Sequence, residues 1–365
     1  MDEDYRKALK ILGKYAWKYL AHPDVLGVSV GLKEIRGEVT SIISIRFFVA
    51  RKKKKPAKPL PKEIKGVLTD VVETRGIYAL NLLSLDSSKD CTDYRCQIFN
   101  PCPAGVSIGH EDVTAGTLGA WTILEDTVTR KHHFLAMSNA HVLANTNKGV
   151  VGDDIYQPGL YDVKRLHLDE DEAYFGRLFY YLPVQTIGLT ECPFTRLETW
   201  MHNLVAGILD RRTKVMATVE NKVDVAWAKP TTREDLAEII DVGKIAGRWR
   251  EEEKSKLIGT VVQKSGRTTC LTWGKITDYP LTLQVNYGEH GIAYFIDQIG
   301  FRPKDKPPVI KGGDSGSLLL DEEKKVVGLC FAGSYNGDFG VANTVWNIIN
   351  EIEKPWRFVG FYNRM

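Results

Sequence analysis

The chain has 365 residues, of which 43% are hydrophobic and 26% charged, and it contains 32 glycines and 15 prolines. This composition excludes a disordered chain, a collagen-like repeat and a coiled coil, and the length is enough for two or three domains. The 49 basic and 46 acidic residues give a net charge of +3, which is too balanced for a nucleic-acid binder or a membrane-surface binder.

The first residues and the cysteines indicate a compartment. No apolar run approaches the roughly 18 residues that a membrane span needs. Residues 1–7 are acidic and charged, where a secretory signal would be basic and then apolar. We therefore expect a cytoplasmic protein without membrane attachment, whose six cysteines are mostly reduced.

Residues 1–85 predict a small α+β domain. Apolar residues recur at helical spacing over residues 4–20, and the helix ends at His22 because Pro23 disfavours helical geometry in the residue before it. A β-rich pair of runs, a lysine-rich loop and a third short strand follow, at residues 25–32, 41–50, 51–55 and 67–73. We expect this domain to recruit, shield or regulate, through a regulatory protein partner or through self-cleavage.

Residues 86–104 contain three cysteines and little periodicity, and we predict that they form a linker. Residues 105–365 have a different sequence pattern, in which short β-rich runs recur with turn residues between them. Many short strands over such a length predict a mostly β barrel or sandwich architecture. A last apolar-periodic stretch predicts a C-terminal helix within residues 343–353. The predicted strands lie near residues 117–124, 134–138, 223–228, 257–264, 281–287, 293–296, 317–320 and 326–332.

The segment most informative for chemistry is residues 312–320, a Gly-Gly-Asp-Ser-Gly-Ser string followed by three leucines. A serine between glycines on a tight turn presents its hydroxyl outward. The same turn lets the backbone N–H groups of Gly313 and Ser315 converge on one point, where they can hold a developing oxyanion. A string of this kind is also common in turns that have no catalytic role.

A serine is a weak nucleophile without a base beside it. His141 follows an apolar strand that ends in small residues, and it is a candidate base, although a lone histidine is more often a core or surface residue. Asp224 lies in an apolar strand, where a carboxylate is costly unless it is paired, and an imidazole N–H would pair with it. The other reading is that Asp224 faces solvent. Weaker rivals for its role are Asp210, Asp235 and Asp241.

The order His141, Asp224, Ser315 on a β-rich chain resembles the chymotrypsin-like (trypsin-fold) serine peptidases. More narrowly, the chain resembles intracellular bacterial trypsin-like peptidases with an N-terminal α+β extension. The resemblance is good over about 105–353 and weaker over 25–75. The matching segments are 27–32, 66–73, 105–110, 115–119, 138–145, 157–159, 264–269, 313–317 and 328–334.

The resemblance implies two six-stranded antiparallel β-barrels, at about 105–247 and 255–342, with the triad between them. It also implies an inserted excursion around 150–210, because the interval from His141 to Asp224 is longer than half a barrel requires. Two departures stand out. Val142 replaces a cysteine that some members pair in a disulfide, and no activating cleavage site is apparent for Asp314, which in extracellular zymogens pairs with a new N-terminus.

The resemblance also implies how a protein or peptide substrate binds. The substrate would lie as an antiparallel strand along Phe331, Ala332 and Gly333, with the side chain before the cut in an adjacent pocket. The base of the pocket would be Val309, and its walls would include Gly333 and Gly340. Because none of these residues is charged, we predict cleavage after small to medium apolar residues, with basic residues disfavoured.

This chemistry needs no metal and no cofactor. The spacing of the cysteines in the linker leaves open a zinc site, a redox-sensitive pair or plain thiols, and they are Cys91, Cys96 and Cys102. We predict that the remaining cysteines are core thiols, and they are Cys192, Cys270 and Cys330. The alternative function is a non-catalytic module that binds a peptide or partner on the same fold without turnover.

Overall fold

The computed structural model describes residues 2–56, 58–80, 91–187, 220–231 and 235–362. The first part contains one long helix and five strands: α1 Asp2–Leu20, β1 Val25–Ile35, β2 Glu38–Val49, β3 Glu63–Ile64, β4 Val67–Glu73 and β5 Ile77–Ala79. As predicted, α1 is amphipathic and precedes a hairpin, in which β1 pairs antiparallel with β2. β4 is parallel to β2. The buried residues of α1 are Tyr5, Ala8, Ile11, Leu12 and Leu20.

The next part of the chain supplies most of one sheet and several short helices. The helices are α2 Cys91–Arg95, α3 Ala140–Leu143, α4 Leu160–Leu166 and α5 Glu170–Ala173. The strands are β6 Cys102–Ala104, β7 Ser107–His110, β8 Gly116–Thr117, β9 Ala120–Asp126, β10 His132–Ser138, β11 Asp154–Tyr156, β12 Tyr174–Tyr181, β13 Glu220–Asn221, β14 Ala226–Pro230 and β15 Asp235–Ile239. The predicted linker thus contains α2 and β6. Much of the predicted excursion forms β11, α4, α5 and β12, and its residues after 187 lie outside the described ranges.

The last part contains β16 Gly247–Arg248, β17 Val261–Gly266, β18 Cys270–Asn286, β19 Ile292–Pro303, β20 Leu318–Asp321, β21 Lys325–Ser334, β22 Gly340–Thr344, the helix α6 Val345–Asn350 and β23 Trp356–Phe361. Two short 3-10 helices lie at Glu251–Lys256 and Gly288–His290. The C-terminal helix is shorter than predicted. Asn343 and Thr344 still belong to β22, and the Thr344 side chain caps α6 by accepting from the Asn347 N–H.

The mostly β class is confirmed, but the strands do not divide into two sheets of six. One sheet has eight strands in the order β23-β9-β10-β14-β12-β11-β7-β8, a larger one has thirteen, and β15 and β6 form a separate two-stranded sheet. The main path of the larger sheet is β13-β19-β22-β21-β20-β17-β18-β1-β2-β4-β3, and an additional pairing joins β18 to β19. Off this path, β16 pairs with β21, and β5 pairs with both β18 and β21. The eighth strand of the smaller sheet, β23, comes from the C-terminus and was not predicted. Among the described residues, no helix is long and apolar enough to cross a membrane.

The N-terminal strands continue the larger sheet. β1 pairs antiparallel with β18, with Ser29 opposite Leu281 and Gly31 opposite Asp278. Asp278 is fully buried at this junction. It accepts hydrogen bonds from the Ser29 hydroxyl at 2.6 Å and from the Arg46 guanidinium at 2.9 Å. The two parts of the chain therefore share a sheet and a buried ion pair.

Arg46→Met should destabilise the protein. The substitution leaves the Asp278 carboxylate buried without its cation, and breaking a buried pair in this way costs about 3–5 kcal/mol. Urea unfolding followed by circular dichroism would measure the change in the free energy of unfolding. Arg51→Met, at an exposed position, is the matched control and should change stability by less than about 0.5 kcal/mol. Equal stability of both variants would contradict the role given to Arg46.

Candidate active site

The turn that contains Ser315 lies where the two sheets meet. Gly316 has a φ of +91°, and a Cβ built there would lie 2.1 Å from the Ser138 hydroxyl and 2.2 Å from the Thr117 carbonyl oxygen, so only glycine fits. Thr117, on β8 of the smaller sheet, donates its N–H to the Ser315 carbonyl at 2.7 Å. Its hydroxyl donates to the Gly313 carbonyl at 2.8 Å. Thr117 of the smaller sheet therefore fixes the Ser315 turn, which directly precedes β20 of the larger sheet.

His141 and Asp224 meet Ser315 from the smaller sheet. His141 lies on α3, directly after β10, and Asp224 lies just before β14. His141 Nε2 is 2.6 Å from Ser315 Oγ, and His141 Nδ1 is 2.6 Å from Asp224 Oδ2. All three side chains are fully buried. The three predicted triad residues are thus connected by two short hydrogen bonds, although they are far apart in the chain.

Asp224 is held on both carboxylate oxygens. Oδ1 accepts the backbone N–H groups of Ala140 at 2.7 Å and His141 at 3.2 Å, and Oδ2 also accepts the Tyr287 hydroxyl at 2.6 Å. Burial alone would raise the pKa of Asp224, but the His141 charge and the hydrogen bonds from His141 and Tyr287 outweigh it and lower that pKa. Asp224 is therefore ionised and fixed in one orientation.

Tyr287 was missed by the sequence analysis. It follows the end of β18, in the larger sheet, and no motif or spacing distinguishes it from other aromatic residues. Burial and the Asp224 charge raise its pKa well above the usual value, so its hydroxyl stays protonated and donates. Of the rival acids, Asp241 accepts from Arg95 at 2.5 Å and Asp235 lies on β15, beside β6. The remaining rival, Asp210, lies outside the described residues.

Asp314, next to the candidate nucleophile, has an internal cation as its partner. Its carboxylate lies 3.2 Å from Lys264 Nζ, and both side chains are buried. It also accepts the Thr269 hydroxyl at 2.6 Å and the backbone N–H groups of Thr268, Thr269 and Lys311 at 2.9–3.0 Å. Burial would raise the pKa of Asp314, but the Lys264 charge and these hydrogen bonds lower it. The ammonium group of Lys264 is therefore the positive charge that pairs with Asp314.

The predicted substrate edge is buried on β21. Phe331, Ala332 and Gly333 have little or no exposed surface, and β21 pairs with β22 through Ala332–Val341 and Gly333–Gly340. A Cβ built on Gly333 would lie 2.9 Å from Ile310 Cγ2. The sequence analysis placed Val309 at the base of the pocket and missed the next residue, Ile310.

The other predicted pocket residues are also buried. A Cβ on Gly340 would lie 2.3 Å from the Phe301 ring, so an aromatic side chain fills the space beside this glycine. Val309 has its carbonyl bonded by the Thr272 hydroxyl at 2.9 Å. Its Cγ2 would lie 3.3 Å from a Cβ on Gly274. All of these side chains are uncharged.

One of the cysteines in the described ranges differs from the expectation. Cys270 is disulfide-bonded rather than a reduced core thiol. Cys96, Cys102 and Cys330 are buried and are not disulfide-bonded. Burial raises the pKa of Cys96 and of Cys330 to about 12, so both stay protonated and neither is a nucleophile at neutral pH. Cys192 lies outside the described residues.

The sequence matches no protein-family model and no curated protein. In three dimensions the chain is similar to solved serine proteases. A chymotrypsin of Cellulomonas bogoriensis is 15% identical, with 72% of this chain and 99% of that chain covered and a TM-score of 0.39. Protease A of Thermobifida fusca is 12% identical, with coverage of 71% and 98% and a TM-score of 0.40. A glutamic-acid-specific serine protease is 13% identical, with coverage of 72% and 100% and a TM-score of 0.41. These neighbours are trypsin-fold serine proteases.

Proposed function

We propose that the protein is a serine endopeptidase that hydrolyses peptide bonds in protein substrates. The observation that carries this proposal is the buried Asp224–His141–Ser315 chain with its two 2.6 Å hydrogen bonds. A serine beside a histidine that is itself oriented by a carboxylate is the arrangement that activates a hydroxyl as a nucleophile. The three residues lie on separate segments of the chain. A purely structural role for any one of them would not require the two hydrogen bonds that connect them.

In the proposed reaction, Ser315 Oγ attacks the substrate carbonyl while His141 Nε2 accepts the hydroxyl proton. The oxyanion that forms is held by the N–H groups of Gly313 and Ser315. His141 then gives the proton to the leaving amine, which departs and leaves an acyl ester on Ser315. Water hydrolyses the ester by the same steps, again with His141 as base. Throughout, the ionised Asp224 holds the Nδ1–H of His141 and stabilises the imidazolium.

The substrate would pair with β21, with its side chain before the cut in the pocket beside Gly333. Val309 stays the predicted base of this pocket, and Ile310, Phe331, Ala332 and Gly340 complete its apolar surroundings. Asp338 is the nearest acid in sequence, and it accepts the Ser334 hydroxyl at 2.5 Å. A lysine or arginine side chain placed in this pocket would lose its hydration without gaining a carboxylate.

A positional-scanning peptide library should therefore be cut after leucine and other small to medium apolar residues. Cleavage after arginine or lysine should be about 100-fold slower or worse, because an unpaired buried charge costs several kcal/mol. Ile310→Asp, which adds a carboxylate beside Gly333, should raise the relative rate after basic residues. A preference of the unmodified enzyme for arginine or lysine would contradict the proposed pocket.

Labelling by a fluorophosphonate probe separates the peptidase from the alternative, a non-catalytic binding module. Transfer of the phosphonyl group to Ser315 Oγ, with loss of fluoride, requires the activated hydroxyl. We expect labelling that disappears in Ser315→Ala and in heat-denatured protein. Folded protein that remains unlabelled, even in variants that open the cleft, would favour the binding module.

Two further assignments stay predictions. The recruitment of a regulatory protein partner by residues 1–85 is one of them. The cytoplasmic location is the other, and the redox state of Cys270, which is disulfide-bonded in the structure, tests it because such bonds are rare in a reducing compartment. Thiol alkylation before and after reduction, on protein taken directly from cells, would measure the state of this cysteine.

A further inference from the structure

The predicted substrate edge is already occupied by a strand of the same chain. β5 pairs antiparallel with β21, with Ile77 opposite Ser334, Tyr78 opposite Gly333 and Ala79 opposite Ala332. On its other side, β5 pairs with Asn286 of β18. This is the position and the direction expected for a bound substrate strand. A substrate therefore has no free edge to pair with in this state.

The strand runs toward the candidate nucleophile. Along β5 the partner residues descend from Ser334 to Ala332, so the next residue, Leu80, is directed toward Phe331, the neighbour of Cys330. The Cys330 carbonyl accepts the Gly316 N–H at 2.9 Å, which places this end of β21 against the Ser315 turn. Leu80 thus comes at the point where a substrate presents the residue before the cut.

The side chain of Leu80 lies in the proposed pocket. It is fully buried, and its Cδ2 would lie 3.2 Å from a Cβ built on Gly333, next to Ile310. Ile77 and Ala79 are also buried, whereas Tyr78 is half-buried. An apolar side chain of medium size is what the uncharged pocket was predicted to accept.

The segment is tethered on its N-terminal side. The N–H groups of Thr74 and Arg75 bond to the carbonyl groups of Val49 and Ala50, both at 3.0 Å, so the chain leaves the N-terminal strands directly before β5. A tether of this kind gives the strand a high effective concentration at the cleft. Consistent with an occupied cleft, Ser315 and His141 have no solvent-exposed surface.

We propose that Ile77–Leu80 is an internal substrate mimic that fills the acyl-side subsites, with Leu80 in the pocket for the residue before the cut. The proposal rests on the peptidase function proposed above. It has two consequences. The protein as folded is self-inhibited, and its substrates are peptides with an apolar residue such as leucine before the cut and a sequence like Ile-Tyr-Ala-Leu on the acyl side.

The test compares wild type with Leu80→Asp, whose carboxylate cannot be buried in an apolar pocket. Releasing the strand should raise the rate of fluorophosphonate labelling about tenfold or more, because apparent reactivity scales with the fraction of open cleft. Hydrolysis of a fluorogenic acetyl-Ile-Tyr-Ala-Leu amide should rise by a similar factor. Leu68→Asp, at an exposed leucine of the same N-terminal part, is the matched control and should match wild type.

Tyr78→Ala provides a second variant in case the buried aspartate prevents folding. It removes a half-buried side chain from β5 without adding charge, and it should also speed labelling while the circular dichroism spectrum stays that of wild type. In the open variants, the free peptide acetyl-Ile-Tyr-Ala-Leu should slow labelling competitively, and it should bind these variants more tightly than wild type.

The outcomes distinguish this proposal from the peptidase function. Labelling of wild type and of both variants at the same rate, lost only in Ser315→Ala, would overturn the self-inhibition and leave the enzyme intact. Activation of the variants without competition by the free peptide would overturn the assignment of Leu80 to the pocket. Absence of labelling in all the folded variants would overturn the proposed function itself.

Discussion

Asp224→Asn should lower kcat/KM by roughly 10⁴, in wild type and in Leu80→Asp alike. Oδ1 of Asp224 accepts two backbone N–H groups, so an asparagine must place its carbonyl oxygen there. Its NH₂ group then faces Nδ1 of His141 and donates to it. That nitrogen becomes an acceptor, the proton moves to Nε2, and the imidazole can no longer take the proton of Ser315. The fold should be unchanged, because the shape of the side chain is conserved.

Initial rates on the fluorogenic tetrapeptide amide would measure this loss. Because the three residues act as a unit, Asp224→Asn combined with Ser315→Ala should be little worse than Ser315→Ala alone. Asp241→Asn is the matched control, since its carboxylate pairs with Arg95 and not with His141. Near-normal activity of Asp224→Asn, or a comparable loss in Asp241→Asn, would show that the third member of the triad was assigned wrongly.

Local sequence was enough to identify the residues that the structure joins at the site. The Gly-rich turn, the small residues before His141 and a carboxylate in an apolar strand are each visible within ten residues. The residues that support them were not visible. Tyr287 reaches Asp224 from the end of a strand in the other sheet, and a tyrosine in an apolar run looks like any core aromatic.

The pairing of distant strands was also beyond the sequence. The helix, the hairpin and the strand of the N-terminal part were predicted near their observed bounds, because their periodicity is local. That β1 would continue the sheet beside β18 depends on contacts about 250 residues apart, such as Ser29 with Asp278. β5 was missed because a three-residue strand carries almost no pattern, yet its position determines whether the cleft is open.

Lys264→Met is expected to have the second-largest effect, because it leaves the Asp314 carboxylate buried without its cation. Breaking such a pair costs about 3–5 kcal/mol of stability. The Ser315 turn depends on Asp314, which accepts the Lys311 N–H within the loop that carries the nucleophile. We therefore also expect a fall in kcat of about 100-fold or more, with a smaller change in KM. Lys306→Met, at an exposed position of the same loop region, is the matched control.

The pH dependence distinguishes a positioning role of Lys264 from a general loss of stability. The pKa of Asp314 is lowered in the folded protein, so its contribution to stability is present above the ordinary aspartate pKa of about 3.9 and is lost as pH falls through the folded value. In Lys264→Met the main lowering cause is gone while burial remains, so the carboxyl should become neutral at a higher pH. The melting temperature and kcat of the variant should then fall, on acidification, at a higher pH than those of wild type, and Lys264→Arg should restore the wild-type profile in part. A variant that is less stable by the same amount at every pH, with kcat unchanged in its folded fraction, would show that Lys264 contributes to packing alone and that the turn is held without it.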